Sequence, residues 1–381
     1  MNKTDKSIGI LGGGQLGRMF LQESYNYNAD VHVLDPAADA PCHALAPRFV
    51  QGDFNDYDTV LRFGRNVDVT TIEFEHVNVE ALYQLEKEGK KVYPQPRVLA
   101  LIKDKGAQKQ FYSAHGIPVG PYFLAENAAV LKDRITKYPV FQKVLQGGYD
   151  GYGVKALRSA DDLAGAFDEP SLVEEAIDFE KELSVIVARN ASGQVVSYPA
   201  VEMVFHPVAH MVEFLAAPAQ VSAETEQKAQ ETAKKVIEAL DMVGILAVEM
   251  FLTKDGRILV NESAPRPHNS GHQTIEANYC SQYEMHFRSI MDLPLGHTGI
   301  IQPSVMVNIL GDPAYSGPAV YEGLETILAM PGVFVHLYGK TVTKPYRKMG
   351  HVTILDADPK KAMEKARKVK DTLRVITREV V

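Results

Sequence analysis

Two glutamates pose the first chemical question in this chain. Ala247 to Leu252 and Arg257 to Glu262 are short apolar runs flanking Asp255-Gly256, a dipeptide that favours a two-residue hairpin turn. With that turn Lys254 pairs with Arg257, and counting back along both strands sets Glu249 directly opposite Glu262. Directly opposite residues have Cβ atoms about 4.5–5.5 Å apart, so two carboxylates there repel unless a cation neutralises them. The neighbours Val248, Met250, Phe251, Leu252, Ile258, Leu259 and Val260 are apolar, which argues against a solvated hairpin. A pair of oxygen ligands suits Mg²⁺, with Mn²⁺ as the alternative, completed by waters and substrate phosphates. In this register Asn261 falls on the opposite face unless a bulge turns it inward.

Phosphate chemistry is written twice. The run Tyr138 to Val144 reads as a strand, and its Lys143 precedes the glycine-rich Gly147-Gly148-Tyr149-Asp150-Gly151-Tyr152-Gly153. Backbone N–H groups of such a loop cradle phosphates while an ammonium offsets their charge. The Walker pattern G-x-x-x-x-G-K-[ST] is absent, so this is not a P-loop. Earlier, Ile8 to Leu11 runs into Gly12-Gly13-Gly14-Gln15-Leu16-Gly17, followed by a strand ending at Asp35. That G-x-G-x-x-G permits a phosphate at a helix N-terminus, or a dinucleotide with Asp35 on its ribose, and the motif does not choose between them. Leu172 to Ile177 is a strand leading into an acidic link whose backbone could meet an adenine edge, and Glu182 opens the next strand. Directly after Glu262, the proline-stiffened Ala264 to His272 gathers Arg266, His268, Asn269, Ser270 and His272, a loop suited to binding an anion. Gly339-Lys340 and Arg347-Lys348-Met349-Gly350-His351 add cations at strand ends in the tail.

The elements that must hold these groups follow from periodicity. Residues 1–101 alternate short apolar strands with polar helices, the βαβ rhythm of a Rossmann-like α/β domain. Residues 102–300 read as a second, α+β domain: a helix to Ala114, period-two runs, and Glu224 to Leu240 with Ala229, Ala233, Val236, Ile237 and Leu240 at helical spacing. Residues 301–381 read as a small C-terminal subdomain, with strands at Ser304 to Leu310, Val333 to Tyr338 and His351 to Leu355 and a helix capped by Asp358 with Pro359 at its first position.

Composition sets the class. A length of 381 residues implies two or three domains, and 45% hydrophobic with 23% charged residues describes an ordinary globular chain. The net charge of −8, without a basic run, argues against nucleic acid as a partner. The 2 cysteines, Cys42 and Cys280, lack the spacing of a zinc site or disulfide framework. No leader pattern and no apolar stretch of membrane-spanning length is visible. The expectation is a cytoplasmic protein without membrane or nucleic-acid contacts, assembled as a homodimer.

The order of these features, a Rossmann-like domain, a lysine with a glycine loop, facing glutamates and an Arg-His-Asn loop, resembles the ATP-grasp ligases. Within them, GGGQLG at Gly12 to Gly17, EFE at Glu73 to Glu75, GGYDGYG at Gly147 to Gly153, NESAPRPHNSGH at Asn261 to His272 and RKMGH at Arg347 to His351 resemble the N5-carboxyaminoimidazole ribonucleotide synthetase family, over nearly the whole chain. The resemblance implies an ATP-grasp fold with an N-terminal pre-ATP-grasp domain. It also implies ATP-dependent carboxylation of 5-aminoimidazole ribonucleotide by bicarbonate, through carboxyphosphate, in purine biosynthesis. Lys105, Lys143, Gly147, Gly148, Tyr149, Gly151 and Gly153 would then meet ATP phosphates, Glu174, Glu175, Ala176 and Ile177 its adenine, and Glu182 its ribose. Glu249 and Glu262 would hold Mg²⁺, with Asn261 beside them. The first glycine loop changes meaning: Gln15 and Leu16 would hold the ribonucleotide's phosphate. Glu73, Tyr149, Asp150, His268, Asn269 and Arg347 would contact the same substrate, with Asp150, Lys340 and Arg266 in catalytic roles.

The chain departs from the family pattern at Tyr152, where relatives usually carry Arg or Lys, at Lys105, where Arg is common, and at Phe205, which stands in place of a histidine with His206 next to it. Three other readings compete: a different ATP-grasp ligase such as a formate-dependent glycinamide ribonucleotide transformylase, an NAD-dependent oxidoreductase using Gly12 to Gly17 and Asp35, and a non-catalytic nucleotide sensor.

Overall fold

The computed structural model describes residues 5–147, 153–205 and 212–378. Strands β1 (Ile8–Leu11), β2 (Val31–Asp35), β3 (Arg48–Gln51), β4 (Val69–Ile72) and β5 (Lys91–Val92) form the expected parallel sheet, in the order β3-β2-β1-β4-β5. Strand order reverses at β1, so the first glycine loop opens into the crevice where open α/β sheets receive ligands. Helix α1 (Gln15–Ser24) starts directly from that loop. Helices α2 (Tyr57–Arg65) and α3 (Val79–Lys87) begin where Asp56 and Asn78 accept the N–H groups of Thr59 and Ala81, ordinary side-chain caps.

The helix expected up to Ala114 is broken in a useful place. Helix α4 (Pro96–Lys103) stops at Asp104, whose extended backbone ends one helix while its side chain caps α5 (Lys105–Ala114) through the Ala107 N–H at 2.9 Å. The break sets Lys105 on the first turn of α5, at the wall of the site.

Two antiparallel sheets follow. Strands β6 (Tyr122–Ala125), β7 (Val140–Val144), β8 (Val154–Leu157) and β9 (Ser171–Glu175), with the short α6 (Leu131–Arg134), form a sheet ordered β6-β9-β7-β8. The larger sheet starts with β10 (Phe179–Arg189), β11 (Val195–Ser197), β12 (Val201–Phe205), β13 (Val212–Ala217), β14 (Gly244–Thr253) and β15 (Ile258–Ala264). Helix α7 (Ala223–Ala239) buries Ala229, Ala233, Val236 and Ile237, the stripe its spacing predicts, in one core with Leu183, Val185 and Leu246 of that sheet.

The tail extends the larger sheet as well as pairing within itself. After α8 (Thr274–Ala277) and α9 (Gln282–Ile290), β16 (Ser304–Leu310) pairs with β13, and β19 (Val333–Leu337) and β21 (Lys348–Leu355) extend the same sheet to the order β15-β14-β10-β12-β13-β16-β21-β19. Two small ladders, β17 (Gly317–Pro318) with β20 (Val342–Thr343) and β18 (Val320–Glu322) with β22 (Arg374–Ile376), close its far end around α10 (Leu324–Leu328) and α11 (Pro359–Thr372). Asp358 caps α11 as expected, accepting from the Lys360 N–H. Because the sheet is continuous, cations of the tail reach the same cleft as the glutamates of β14 and β15.

Candidate active site

Glu249 and Glu262 are direct cross-strand partners. The route to that pairing corrects the expected hairpin. The Thr253 N–H donates to Arg257 O and the Gly256 N–H to Thr253 O, both at 2.9 Å, so the turn has three residues, Lys254, Asp255 and Gly256, with Gly256 at φ +79°. Pairing therefore runs Leu252 to Ile258 and Met250 to Val260, offset by one residue from the predicted register. A β-bulge between Met250 and Glu249 then absorbs Asn261 and returns Glu262 to a place opposite Glu249. The bulge also turns Asn261 inward, where its Oδ1 accepts from Lys143 Nζ at 3.3 Å.

The two carboxylates differ in charge environment. Burial raises the Glu249 carboxyl, and facing Glu262 and Glu182 raises it further. Lys105, 2.9 Å from Glu262 Oε2, holds the Glu262 carboxyl down against its own burial. Glu262 lies deep in the fold yet leaves 43% of its side chain open to the cleft. His268 Nε2 stands 3.5 Å from Glu249 Oε1. Two opposed carboxylates, one firmly anionic and the other short of positive charge, with an amide oxygen beside them, form a donor set that fits a hard divalent cation.

Behind this pair lies a buried lysine bridge. Glu174 on β9 receives Lys109 at 2.7 Å on one oxygen and Lys143 at 2.6 Å on the other. Burial works against the Glu174 charge, but the two ammonium groups prevail and keep its carboxyl below the usual range. The Glu174 side chain is thus committed to positioning Lys143. The N–H groups of Glu175 and Ala176 are also engaged, donating to Pro121 O and Pro139 O. Ile177 follows at the start of the link to β10. Glu182 on β10 shares the face of Glu249, and burial lifts its carboxyl to about 7.

A cavity of about 410 Å³ joins these elements to the first domain, and its wall includes Gln15, Leu16, Glu73, Lys105, Lys143, Gly147, Glu249, Glu262, Arg266, His268 and Asn269. At its far end the first glycine loop already has anionic partners. Asp35 Oδ2 accepts from the Gly13 N–H at 2.7 Å and Oδ1 from the Ala37 N–H at 2.8 Å, so Asp35 shapes the loop. Glu73 accepts from the N–H groups of Gly14 and Leu16, both at 3.1 Å. Its burial nevertheless raises its carboxyl, with those two bonds opposing.

The loop after Glu262 is knitted into the site. Arg266 Nε lies 2.8 Å from Glu75. His268 Nδ1 meets Ser270 Oγ, which meets Ser184 Oγ in turn. Asn269, expected to face substrate, exchanges amide hydrogen bonds with Asn308 of β16 at 2.8 and 2.9 Å. Lys340 and Arg347 are not brought to the cavity wall: Lys340 donates to Lys348 O at 2.7 Å, and the half-buried Arg347 donates to Val342 O at 2.6 Å. Lys348 takes the place at the wall. Gly148, Tyr149, Asp150, Gly151, Tyr152 and His206 lie outside the described residues, while Phe205 lines the cavity.

Sequence reasoning missed Glu75, His76, Lys103 and Lys348 at the wall. Glu75 and His76 follow Glu73 within one segment, a signal that was available. Lys348 was hidden by its neighbour Arg347, because a register shift between Ile309 and Leu310 decides which side chain faces inward.

Comparison with known proteins adds three matched models: a ribonucleotide synthetase preATP-grasp domain over residues 5–103, an ATP-grasp domain over 110–283 and a phosphoribosylaminoimidazole carboxylase C-terminal domain over 304–365. The chain is 36% identical over 355 residues to N5-carboxyaminoimidazole ribonucleotide synthase of Bacillus subtilis, covering 91% of each. It is likewise 36% identical to the chloroplastic phosphoribosylaminoimidazole carboxylase of Vigna aconitifolia, covering 91% of this chain but 64% of that longer protein. Among solved structures, N5-carboxyaminoimidazole ribonucleotide synthetase from Thermotoga maritima superposes with a TM-score of 0.91 at 43% identity, over 98% of this chain and 100% of that one. The Aspergillus clavatus N5-carboxyaminoimidazole synthase, in complex with ADP and 5-aminoimidazole ribonucleotide, gives 0.89 at 34%, over 97% and 99%. No described helix is long and apolar enough to cross a membrane.

Proposed function

The chain belongs to the N5-carboxyaminoimidazole ribonucleotide synthetase family of ATP-grasp enzymes, and we propose that it carries out the family reaction. It is an ATP-dependent ligase that carboxylates 5-aminoimidazole ribonucleotide to the N5-carboxy product in purine biosynthesis. The observation that carries this reading is the Glu249–Glu262 pair, set in one cavity with Lys105, Lys143 and the loop of Arg266.

A bicarbonate oxygen attacks the γ-phosphorus of ATP, ADP leaves, and carboxyphosphate forms. The exocyclic amine then attacks the carboxyl carbon, phosphate leaves, and the amine proton passes to a base. Glu249 and Glu262 would hold Mg²⁺ or Mn²⁺, which supplies charge neutralisation on the transferring phosphoryl group when bound. Lys143, braced by Glu174, offsets phosphate charge from one side. Lys105 pairs with Glu262 within reach of a phosphate, with Gly147 and Gly153 at the ends of the glycine-rich motif. Glu175 to Ile177 offer the link for adenine, and Glu182 an acceptor for ribose hydroxyls. Arg266, His268 and Lys348 face the anionic intermediate, and Glu73 with Gln15 and Leu16 at the start of α1 meets the ribonucleotide. Asp150, from its motif, takes the proton. The NAD reading loses its ribose anchor, since Asp35 is bound to the loop itself.

The test is ADP release with Mg²⁺ and ATP in four arms: bicarbonate alone, ribonucleotide alone, both, and formate with ribonucleotide. ADP that requires both bicarbonate and ribonucleotide, with carboxylated product, supports the proposal. Formate-dependent turnover moves the chain to transformylase chemistry, and ADP in no arm rejects the proposal.

A further inference from the structure

Two motif histidines have no assigned step in this reaction, although His272 reaches the cavity wall, and the fold brings them together. His272 ends the Pro-stiffened loop of Arg266 and His268, and His351 ends the run that carries Lys348. Their rings meet at 4.7 Å between centroids with a tilt of 37°, and His351 stacks in turn on His336, its β21–β19 partner, at 4.4 Å and 9°. His351 is fully buried and its Nε2 has no hydrogen-bond partner among the described residues, so hydrogen bonding at that nitrogen does not account for its presence. A glycine precedes each histidine at a position where a Cβ would collide: Gly271 with the Gln282 amide and Gly350 with His336 O.

Each ring rests on a tyrosine that belongs to its own side. His272 Nδ1 lies 2.9 Å from Tyr283 OH of α9. His351 Nδ1 lies 3.0 Å from Tyr338 OH, and the Tyr338 ring carries the Lys340 ammonium 5.7 Å from its centroid while Lys340 donates to Lys348 O. The His272–His351 contact, with an edge-on approach of His272 to Tyr338 at 6.5 Å, therefore joins the support of Arg266 and His268 to the support of Lys348, the cations that line the cavity from the ATP-grasp domain and from the tail.

We propose that His272 and His351 are positioning residues, whose ring contact fixes the spacing between the Arg266–His268 loop and Lys348 and thereby sets affinity for the anionic acceptor substrate. This inference rests on the proposed reaction. Burial, together with neighbouring histidines and, at His272, nearby Lys348 and Arg266, drives both rings well below the usual imidazole range, so the contact is between neutral rings. Two neutral rings hold their spacing by packing and contribute no charge of their own to the anion site.

The experiment is steady-state kinetics on the full chain, wild type against His351→Leu and His351→Phe, with thermal melting of each. Removing the ring face in His351→Leu should raise KM for 5-aminoimidazole ribonucleotide about tenfold, the upper range for an aromatic pair, with KM for ATP within about twofold. His351→Phe, which restores a flat ring but not the Nδ1 contact with Tyr338 OH, should recover part of that loss. Equal increases in both KM values, no increase, or a Phe variant no better than Leu would each overturn the inference. If His351→Leu does not fold, His336→Leu at the more accessible end of the column replaces it, with an increase of about threefold expected and an unchanged KM counting against the inference. Wild-type inactivity with the ribonucleotide is a different result: it overturns the proposed reaction and this inference with it.

Discussion

Glu249 and Glu262 face each other because Asn261 is bulged out of the β14–β15 ladder. In the register that leaves the three-residue turn, Glu249 would have met Asn261, and Glu262 would have pointed to the other face. The pair is thus held in opposition by backbone geometry, against its own repulsion. Replacing Glu262 by Ala should leave a folded chain and lower kcat at least about a hundredfold, in the range for losing one electrostatic contact to a transition state. Near-normal ADP release would remove Glu262 from the reaction. Glu249→Gln makes the complementary point: without ligands, and at alkaline pH where the raised Glu249 carboxyl is ionised, it relieves a buried like charge and should raise the melting temperature by roughly 2 °C while activity falls. A lower melting temperature would contradict the repulsion argument.

Lys109 is 4% exposed and bonds both to Glu174 and, at 3.1 Å, to Val260 O. Lys109→Met would leave Glu174 buried with one partner instead of two, at a cost of about 3 kcal/mol in urea unfolding. KM for ATP should rise as well, because Lys143 would take the whole of the Glu174 charge and be drawn from the phosphates. A variant of unchanged stability would show that Lys109 is dispensable to the bridge.

Glu182 should make the ligand-free chain less stable as pH rises. Its carboxyl ordinarily titrates near 4.5 and is lifted by burial to about 7, so between these values the unfolded chain has released the proton that the folded chain keeps. The folded state binds more protons there, and stability falls with rising pH across that window and levels above it. Urea midpoints of wild type and Glu182→Gln, followed from about pH 5 to about pH 8, should show the wild type losing ground up to about pH 7 only. A difference independent of pH would mean that the carboxyl is not lifted.

Glu73 accepts two backbone N–H groups of the first glycine loop. Glu73→Gln should cost about 1–2 kcal/mol, because an amide presents one acceptor oxygen and an NH₂ group to the same donors. It should also raise KM for the ribonucleotide and leave KM for ATP alone. Calorimetric melting and the two KM values decide this, and an equal rise in both would deny Glu73 a place on the ribonucleotide side.

Much of this site was legible in the sequence because its signals are short-range. The Asp358-Pro359 cap, the α7 stripe and the period of the βαβ units each depend on a few neighbouring residues, and each reappears in the fold, while Asp255-Gly256 marks the place of a turn one residue longer than expected. The glutamate pairing was legible too, although by a register that the turn did not follow and the bulge restored.

Tertiary structure alone decided what these groups touch. Asn269 meets Asn308 across 39 residues, Glu174 is claimed by two lysines from α5 and β7, and Lys348 reaches the cavity wall. His272 and His351 end separate motifs and meet only because β16 and β21 extend the sheet of β14 and β15. Local residue types fix backbone preference and charge over a few positions. A buried carboxylate or imidazole instead takes its partner from whatever the packed sheets bring within about 3 Å, and that distance is set by the whole fold.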